Sequence, residues 1–63
     1  MTKNYSIIAA DTKTGERRTY NYQDETIAYA KFYDVVHSYL WNRVVLLDNR
    51  TGEVIDYDEI EEN

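Results

Sequence analysis

The sequence predicts one α+β domain over 1–63: a β-hairpin, one α-helix and a second β-hairpin (ββαββ), forming an antiparallel sheet with the helix packed on one face. Three observations predict it. The run Asp11-Thr12-Lys13-Thr14-Gly15-Glu16 recurs as Asp48-Asn49-Arg50-Thr51-Gly52-Glu53. Each copy follows an apolar run, Ile7-Ile8-Ala9-Ala10 or Val44-Val45-Leu46-Leu47, and precedes a second strand-forming run. Between the two units lies a single segment with helical apolar periodicity.

The first hairpin joins strands over about 4–10 and 17–22. Tyr5, Ile7 and Ala9 alternate with Ser6, Ile8 and Ala10, and Arg18, Tyr20 and Tyr22 alternate with Arg17, Thr19 and Asn21. In the connecting turn an Asp side chain accepts from turn amides and Gly supplies the positive φ. The same chemistry predicts the second hairpin, with strands over about 43–48 and 53–57. The helix is expected over about 25–40. Asp24 serves as N-cap and Glu25 sits favourably in the first turn. Ala28, Phe32, Val35, Val36, Tyr39 and Leu40 form its apolar stripe, with Glu25, Lys31, Asp34 and Ser38 on the other side. No Gly ends this helix, so Asn42 is the residue expected in the left-handed position. Of the tyrosines, Tyr20, Tyr22 and Tyr39 are expected mostly in the core, and Tyr29 and Tyr33 nearer the surface.

A chain of 63 residues without cysteine and with one histidine has neither a disulfide nor an imidazole cluster to reinforce a small core. No cofactor or metal is expected. The strand Val44 to Leu47 is apolar at every position, as strands are when both faces are covered. One helix covers one face only, so a homodimer is expected. No stretch approaches the ~18 apolar residues of a membrane span, and the N-terminus lacks the apolar core of a signal peptide. The expected setting is intracellular, in the cytoplasm, with no membrane partner.

Net charge is −5. Asp56, Asp58, Glu59, Glu61 and Glu62 carry all of that excess, because the remaining acids are balanced by Lys and Arg. The segment 58–63 reads as an acidic tail, either a solvated end or an anionic strip for a basic partner. His37 and Ser38 are adjacent on a helix and point about 100° apart. Neither forms a catalytic pair with the other, and no phosphate loop or metal pattern is present. An enzyme is not expected. Arg17 and Arg18 beside Tyr20 and Tyr22, with Lys13 and Arg50 at the turns, raise direct nucleic-acid binding. The sequence pI near 4.6 opposes it.

The order of residues over about 5–47 resembles the small uracil-DNA glycosylase inhibitors of short-tailed Bacillus phages. The likeness runs through Tyr5 opening an apolar strand, an acidic turn ending at Gly15, Tyr20-Asn21-Tyr22, and Tyr33-Asp34-Val35-Val36-His37 before another apolar strand. That family has phenylalanine, glutamate and tyrosine where this chain has Tyr33, Asp34 and His37, and glutamate where it has Asn21. The resemblance implies a homodimeric phage protein that works in the bacterial host cell and binds a host DNA-processing enzyme by DNA mimicry. Carboxylates stand in for phosphates, and a pocket between the two helices of the dimer accepts a side chain of the enzyme. Asp34 is then a phosphate mimic, and Tyr33 and His37 shape the pocket. Together with the acidic segment, the partner-binding residues expected are Tyr29, Tyr33, Asp34, His37, Asp56, Asp58 and Glu59. Three other readings remain open: an inhibitor of another DNA-binding defence protein, a structural or assembly adaptor, and a small nucleic-acid-binding protein.

Overall fold

The structure, a computed structural model, describes residues 4–60. Its elements follow the predicted order: β1 (Tyr5–Ala10), β2 (Arg17–Tyr22), α1 (Glu25–His37), β3 (Arg43–Asp48) and β4 (Glu53–Glu59). The four strands form one antiparallel sheet in the order β2-β1-β3-β4. The helix therefore carries the chain from the edge strand β2 across β1 to β3.

Both repeated turns adopt the same geometry for the same reason. The Asp11 carboxylate accepts from Lys13 N at 2.9 Å, and the Asp48 carboxylate accepts from Arg50 N at 2.9 Å. Gly15 N and Gly52 N then close onto the Asp11 and Asp48 carbonyls at 2.8 Å each. Both glycines have φ near +80° (81° and 77°), a region that disfavours a Cβ. The shared sequence is thus a shared turn.

The helix begins where the sequence places it, with the Asp24 carboxylate accepting from Thr26 N at 2.7 Å and Ile27 N at 3.3 Å. It ends earlier than expected, at His37 instead of 40. Ser38 N and Ser38 Oγ both reach back to the Val35 carbonyl, at 3.3 and 2.6 Å, tightening the last turn. Tyr39, not Asn42, takes the left-handed conformation, with φ +57°. Asn42 is engaged elsewhere: its side-chain amide accepts from Thr12 N at 3.0 Å and donates to Thr12 Oγ1 at 2.8 Å. That clamp holds the segment before β3 against the first turn, so the chain must leave the helix axis before Asn42. As a result Tyr39 and Leu40 are 73% and 74% exposed, and the core position expected for Tyr39 is not observed.

The core lies between the helix and one face of the sheet. Tyr5, Ile7 and Ala9 of β1, Val44 and Leu46 of β3, and Ala28, Phe32 and Val35 of α1 are buried there. Tyr20, Tyr22, Tyr29, Val36, Trp41 and Ile55 pack around them. Burying each large aliphatic or aromatic side chain contributes about 1.5–3 kcal/mol. The helix lies chiefly over the central strands β1 and β3, which leaves the helix-side surface of the edge strand β4 accessible.

β4 runs two residues beyond its expected end at 57, because Asp58 and Glu59 pair with Val44 and Arg43. Residues 61–63 of the expected acidic tail lie outside the described residues. A register shift between Leu46 and Leu47 also decides which face each β4 side chain takes. Val54 is opposite Leu47, whereas Asp56 is opposite Leu46 and Asp58 opposite Val44. One bulged residue, Ile55, thereby turns both aspartates toward the helix side and Tyr57 and Glu59 toward the other face.

Candidate functional site

Tyr29, Tyr33 and His37 recur every four residues along α1, and their rings form a ladder on one edge of the helix. Tyr29 and Tyr33 stack with centroids 6.4 Å apart and planes at 28°. Tyr33 and His37 stack at 6.5 Å and 21°. Phe32 meets Tyr33 edge-on at 5.6 Å, tying the ladder to the core. Tyr33 is 50% exposed, His37 is exposed, and Tyr29 is half-buried. Aromatic groups held this way offer large contact area with little conformational entropy left to lose.

This edge faces β4. Burial pushes the Tyr29 phenol above its ordinary value, and the nearby Glu25 and Asp56 carboxylates and Tyr33 push it in the same direction. Asp56 is half-buried beside the ladder, and Asp58, also half-buried, follows two residues along the same face of the strand. Tyr29 and Asp56 thus lie near one another, and Asp58 follows Asp56 on the helix side of β4. Glu25, in the first turn of α1, adds a third carboxylate near Tyr29.

Asp34 and Glu59 stand apart from this surface. Asp34 lies around the helix on the side nearer β2, where it lines a cavity of about 170 Å³ with Tyr20, Lys31, Val35, Ser38 and Trp41 among its walls. Lys31 Nζ sits 5.4 Å from the centroid of the Tyr20 ring on that same side. Glu59 is on the sheet face away from the helix, where it accepts from Arg43 Nε at 3.1 Å and from the Tyr57 hydroxyl. These two contacts hold the Glu59 carboxyl below its ordinary value, the Tyr57 hydrogen bond contributing most. Of the expected contact residues, Tyr29, Tyr33 and His37 come together on the helix edge, with Asp56 near Tyr29 and Asp58 two residues further along β4.

Among the described residues, no group of three or more His, Asp or Glu is placed to hold a metal ion. No helix of the described residues is long and apolar enough to cross a membrane. The Ser38 hydroxyl is committed to the Val35 carbonyl. The basic residues are dispersed. Arg17 and Arg18, adjacent on β2, point to opposite faces of the sheet, and the two turns carrying Lys13 and Arg50 lie at opposite ends of it. Arg50 is tied to the Asp48 carboxylate at 3.4 Å and to the Tyr5 hydroxyl at 3.0 Å.

Compared with protein-family models, with curated proteins and with solved structures, the chain matches none.

Sequence reasoning did not single out Trp41 or Ile60, and it placed Leu40 on the apolar stripe of the helix. Tyr39, Leu40, Trp41 and Ile60 line a cleft of about 300 Å³ at the end of the domain that also holds Asp11, Lys13 and Asn42. The apolar periodicity of Tyr39 and Leu40 masked this loop by extending the helix through it. The signal available was the cluster Tyr39-Leu40-Trp41 just before the hairpin strand.

Proposed function

We propose that this chain is a non-enzymatic inhibitor that presents an acidic, aromatic edge to the basic nucleic-acid groove of a host DNA-processing enzyme. Among such enzymes the reading favours uracil-DNA glycosylase, on the likeness of residues 5–47 to the phage inhibitors of that enzyme. The observation that carries the reading is the Tyr29–Tyr33–His37 ladder alongside Asp56 and Asp58. Two residues of strand rise about 6.8 Å, twice the ~3.4 Å axial spacing of phosphates along one DNA strand. Alternate carboxylates on an edge strand thus repeat at a multiple of the phosphate spacing. The aromatic rings beside them supply apolar area of the kind that accepts an inserted side chain.

In this reading Asp56 and Asp58 take the phosphate-mimic role first assigned to Asp34, and Tyr33 with His37 keeps the pocket-forming role. The protein then acts by occupying the groove, with no bond made or broken. The test is uracil excision from DNA by purified glycosylase in the presence of increasing amounts of this protein. Excision should stop at stoichiometric amounts. Excision that proceeds unchanged at large excess rules out the glycosylase, and a pull-down from bacterial lysate then asks whether another DNA-binding enzyme takes its place.

A further inference from the structure

Across the sheet from β4, the strand β2 forms the other edge, and among the described residues no strand pairs with its outer side. Asp11 N donates to the Glu16 carbonyl at 2.9 Å, and this bond sets the phase of the β1–β2 ladder. Antiparallel partners alternate between bonded and non-bonded pairs, so Arg18, Tyr20 and Tyr22 exchange bonds with Ala9, Ile7 and Tyr5. Asn49 N reaches the Asn4 carbonyl at 2.8 Å, which turns the intervening residues of β1 toward β3, as that phase requires. The backbone N–H and C=O groups of Arg17, Thr19 and Asn21 therefore point away from the sheet. The β4 edge is interrupted by its bulge at Ile55. β2 holds register with β1 at all six of its residues.

The side chains along this open edge are basic and aromatic in a molecule of net charge −5. Arg17 and Arg18 are both exposed, one on each face of the sheet. Arg43 and Arg50 are held by Glu59 and Asp48. Among the described residues, Arg17 and Arg18 form no such ion pair. On the helix side, two residues along the strand from Arg18, Tyr20 borders the cavity of about 170 Å³ whose walls include Val35, Leu40 and Trp41. That cavity has room for one apolar side chain. Lys31 and Asp34 both line it, so it carries no net formal charge.

We infer that β2 takes up an extended acidic segment of another protein as an added antiparallel strand. The outward groups of Arg17, Thr19 and Asn21 bond its main chain, and its alternate side chains supply selectivity. Every pair in the sheet is antiparallel, and the added strand continues that order. An apolar residue opposite Tyr20 meets the cavity. Two residues on, a carboxylate on the same face lies opposite Arg18, and the next residue puts a second carboxylate opposite Arg17 on the other face. The segment thus reads apolar, any, acidic, acidic. Strand β4 of a second copy fits less well. With its Asp58 and Glu59 opposite Arg18 and Arg17, the residue brought to the cavity is the charged Asp56. The β2 edge lies across the sheet from Asp56 and Asp58, and its role does not depend on what they bind.

The test is amide NMR of the isotope-labelled full chain, titrated to millimolar concentration with a capped hexapeptide of valine, threonine, leucine, threonine and two glutamates, in that order. Binding should shift the amide signals of Arg17, Thr19 and Asn21, slow their exchange with solvent, and weaken as salt is added. The same peptide N-methylated at both threonines, the residues opposite Asn21 and Thr19, should bind at least tenfold more weakly. So should the peptide with lysines in place of its glutamates. Arg17→Glu combined with Arg18→Glu, at two exposed sites, should keep the fold and reverse the preference toward the lysine peptide. No shift at β2 overturns the inference, whether or not a single-stranded oligonucleotide produces one. Equal binding of the N-methylated peptide also overturns it. So do β2 signals that move on dilution of the chain alone, since the occupant is then a second copy.

Discussion

The rings of Tyr33 and His37 lie nearly parallel, 6.5 Å apart at 21°, although both side chains are on the exposed edge of the helix. Surface side chains held by one another, with Phe32 bracing Tyr33 from the core, are ordered before any partner arrives. Tyr33→Ala removes the middle of the ladder but little buried surface. Its effect on thermal or denaturant stability should be within about 1 kcal/mol. Its effect on affinity for the enzyme proposed as partner should be ~2 kcal/mol or more, the scale of an aromatic hot spot. Equilibrium unfolding and a binding titration on the same preparation separate the two.

Tyr39 predicts a gain. A non-glycine residue in the left-handed region is held there at a cost of about 1–2 kcal/mol, and the Tyr39 ring is 73% exposed. Tyr39→Gly relieves the backbone while giving up little packing, against the greater unfolded-state freedom of glycine. The variant should be more stable by ~0.5–1 kcal/mol, visible as a raised Tm. A lowered Tm would mean that the Tyr39 side chain holds the loop in place.

Tyr5 links three elements through one hydroxyl. It accepts from Arg50 Nη2 at 3.0 Å and donates to Glu25 Oε2 at 3.3 Å, while its ring is buried and lies 5.5 Å from the Arg50 guanidinium carbon. The second turn is thereby joined to β1 and to the first turn of the helix. Tyr5→Phe keeps the ring and loses both hydrogen bonds, and should reduce unfolding free energy by about 1–2 kcal/mol. In a domain of this size that is a large share of the total, and urea unfolding will report it.

Stability should fall in acid for two named groups. The Asp48 carboxyl is held below its ordinary 3.8, chiefly by the Arg50 backbone N–H. The Glu59 carboxyl is held below its ordinary 4.5 by Tyr57 and Arg43. A carboxyl that binds its proton less readily folded than unfolded contributes stability above its unfolded value and loses it as pH falls through the folded one. Denaturant midpoints should be flat above about pH 5 and decline below about pH 4. Glu59→Gln should flatten part of that decline. At the alkaline end, Tyr5, Tyr29 and Tyr57 are all pushed above 10.0, Tyr5 and Tyr29 chiefly by burial and Tyr57 chiefly by its hydrogen bond to Glu59. Their contribution is complete below that value and lost as pH rises past it.

The two turns were legible in the sequence because their chemistry is local: one carboxylate and one glycine within five residues determine each. The helix start was legible for the same reason, through Asp24. The helix end was not. Tyr39 and Leu40 continue the apolar period, and what stops the helix is a long-range clamp from Asn42 to Thr12. The ladder Tyr29–Tyr33–His37 follows from spacing by four. Its neighbourhood with Asp56 and Asp58, and the separation of both from Asp34 and Glu59, required the strand order and the shift at Leu46 and Leu47. A single bulged residue changes the face of every later side chain in β4, and no local pattern announces it.

The central claim is that carboxylates of β4 and rings of α1 form one binding surface for a basic groove. It is tested most directly by the affinity of uracil-DNA glycosylase for this protein, measured against salt for the wild type and for the Asp56→Asn, Asp58→Asn double variant. The claim predicts affinity that falls steeply with salt, as charges separated by more than the ~8 Å screening length at physiological ionic strength cease to act. It also predicts a loss of about tenfold or more, ~1.4 kcal/mol, in the double variant, with a shallower salt slope. Binding that is equally tight in both proteins and indifferent to salt would contradict it.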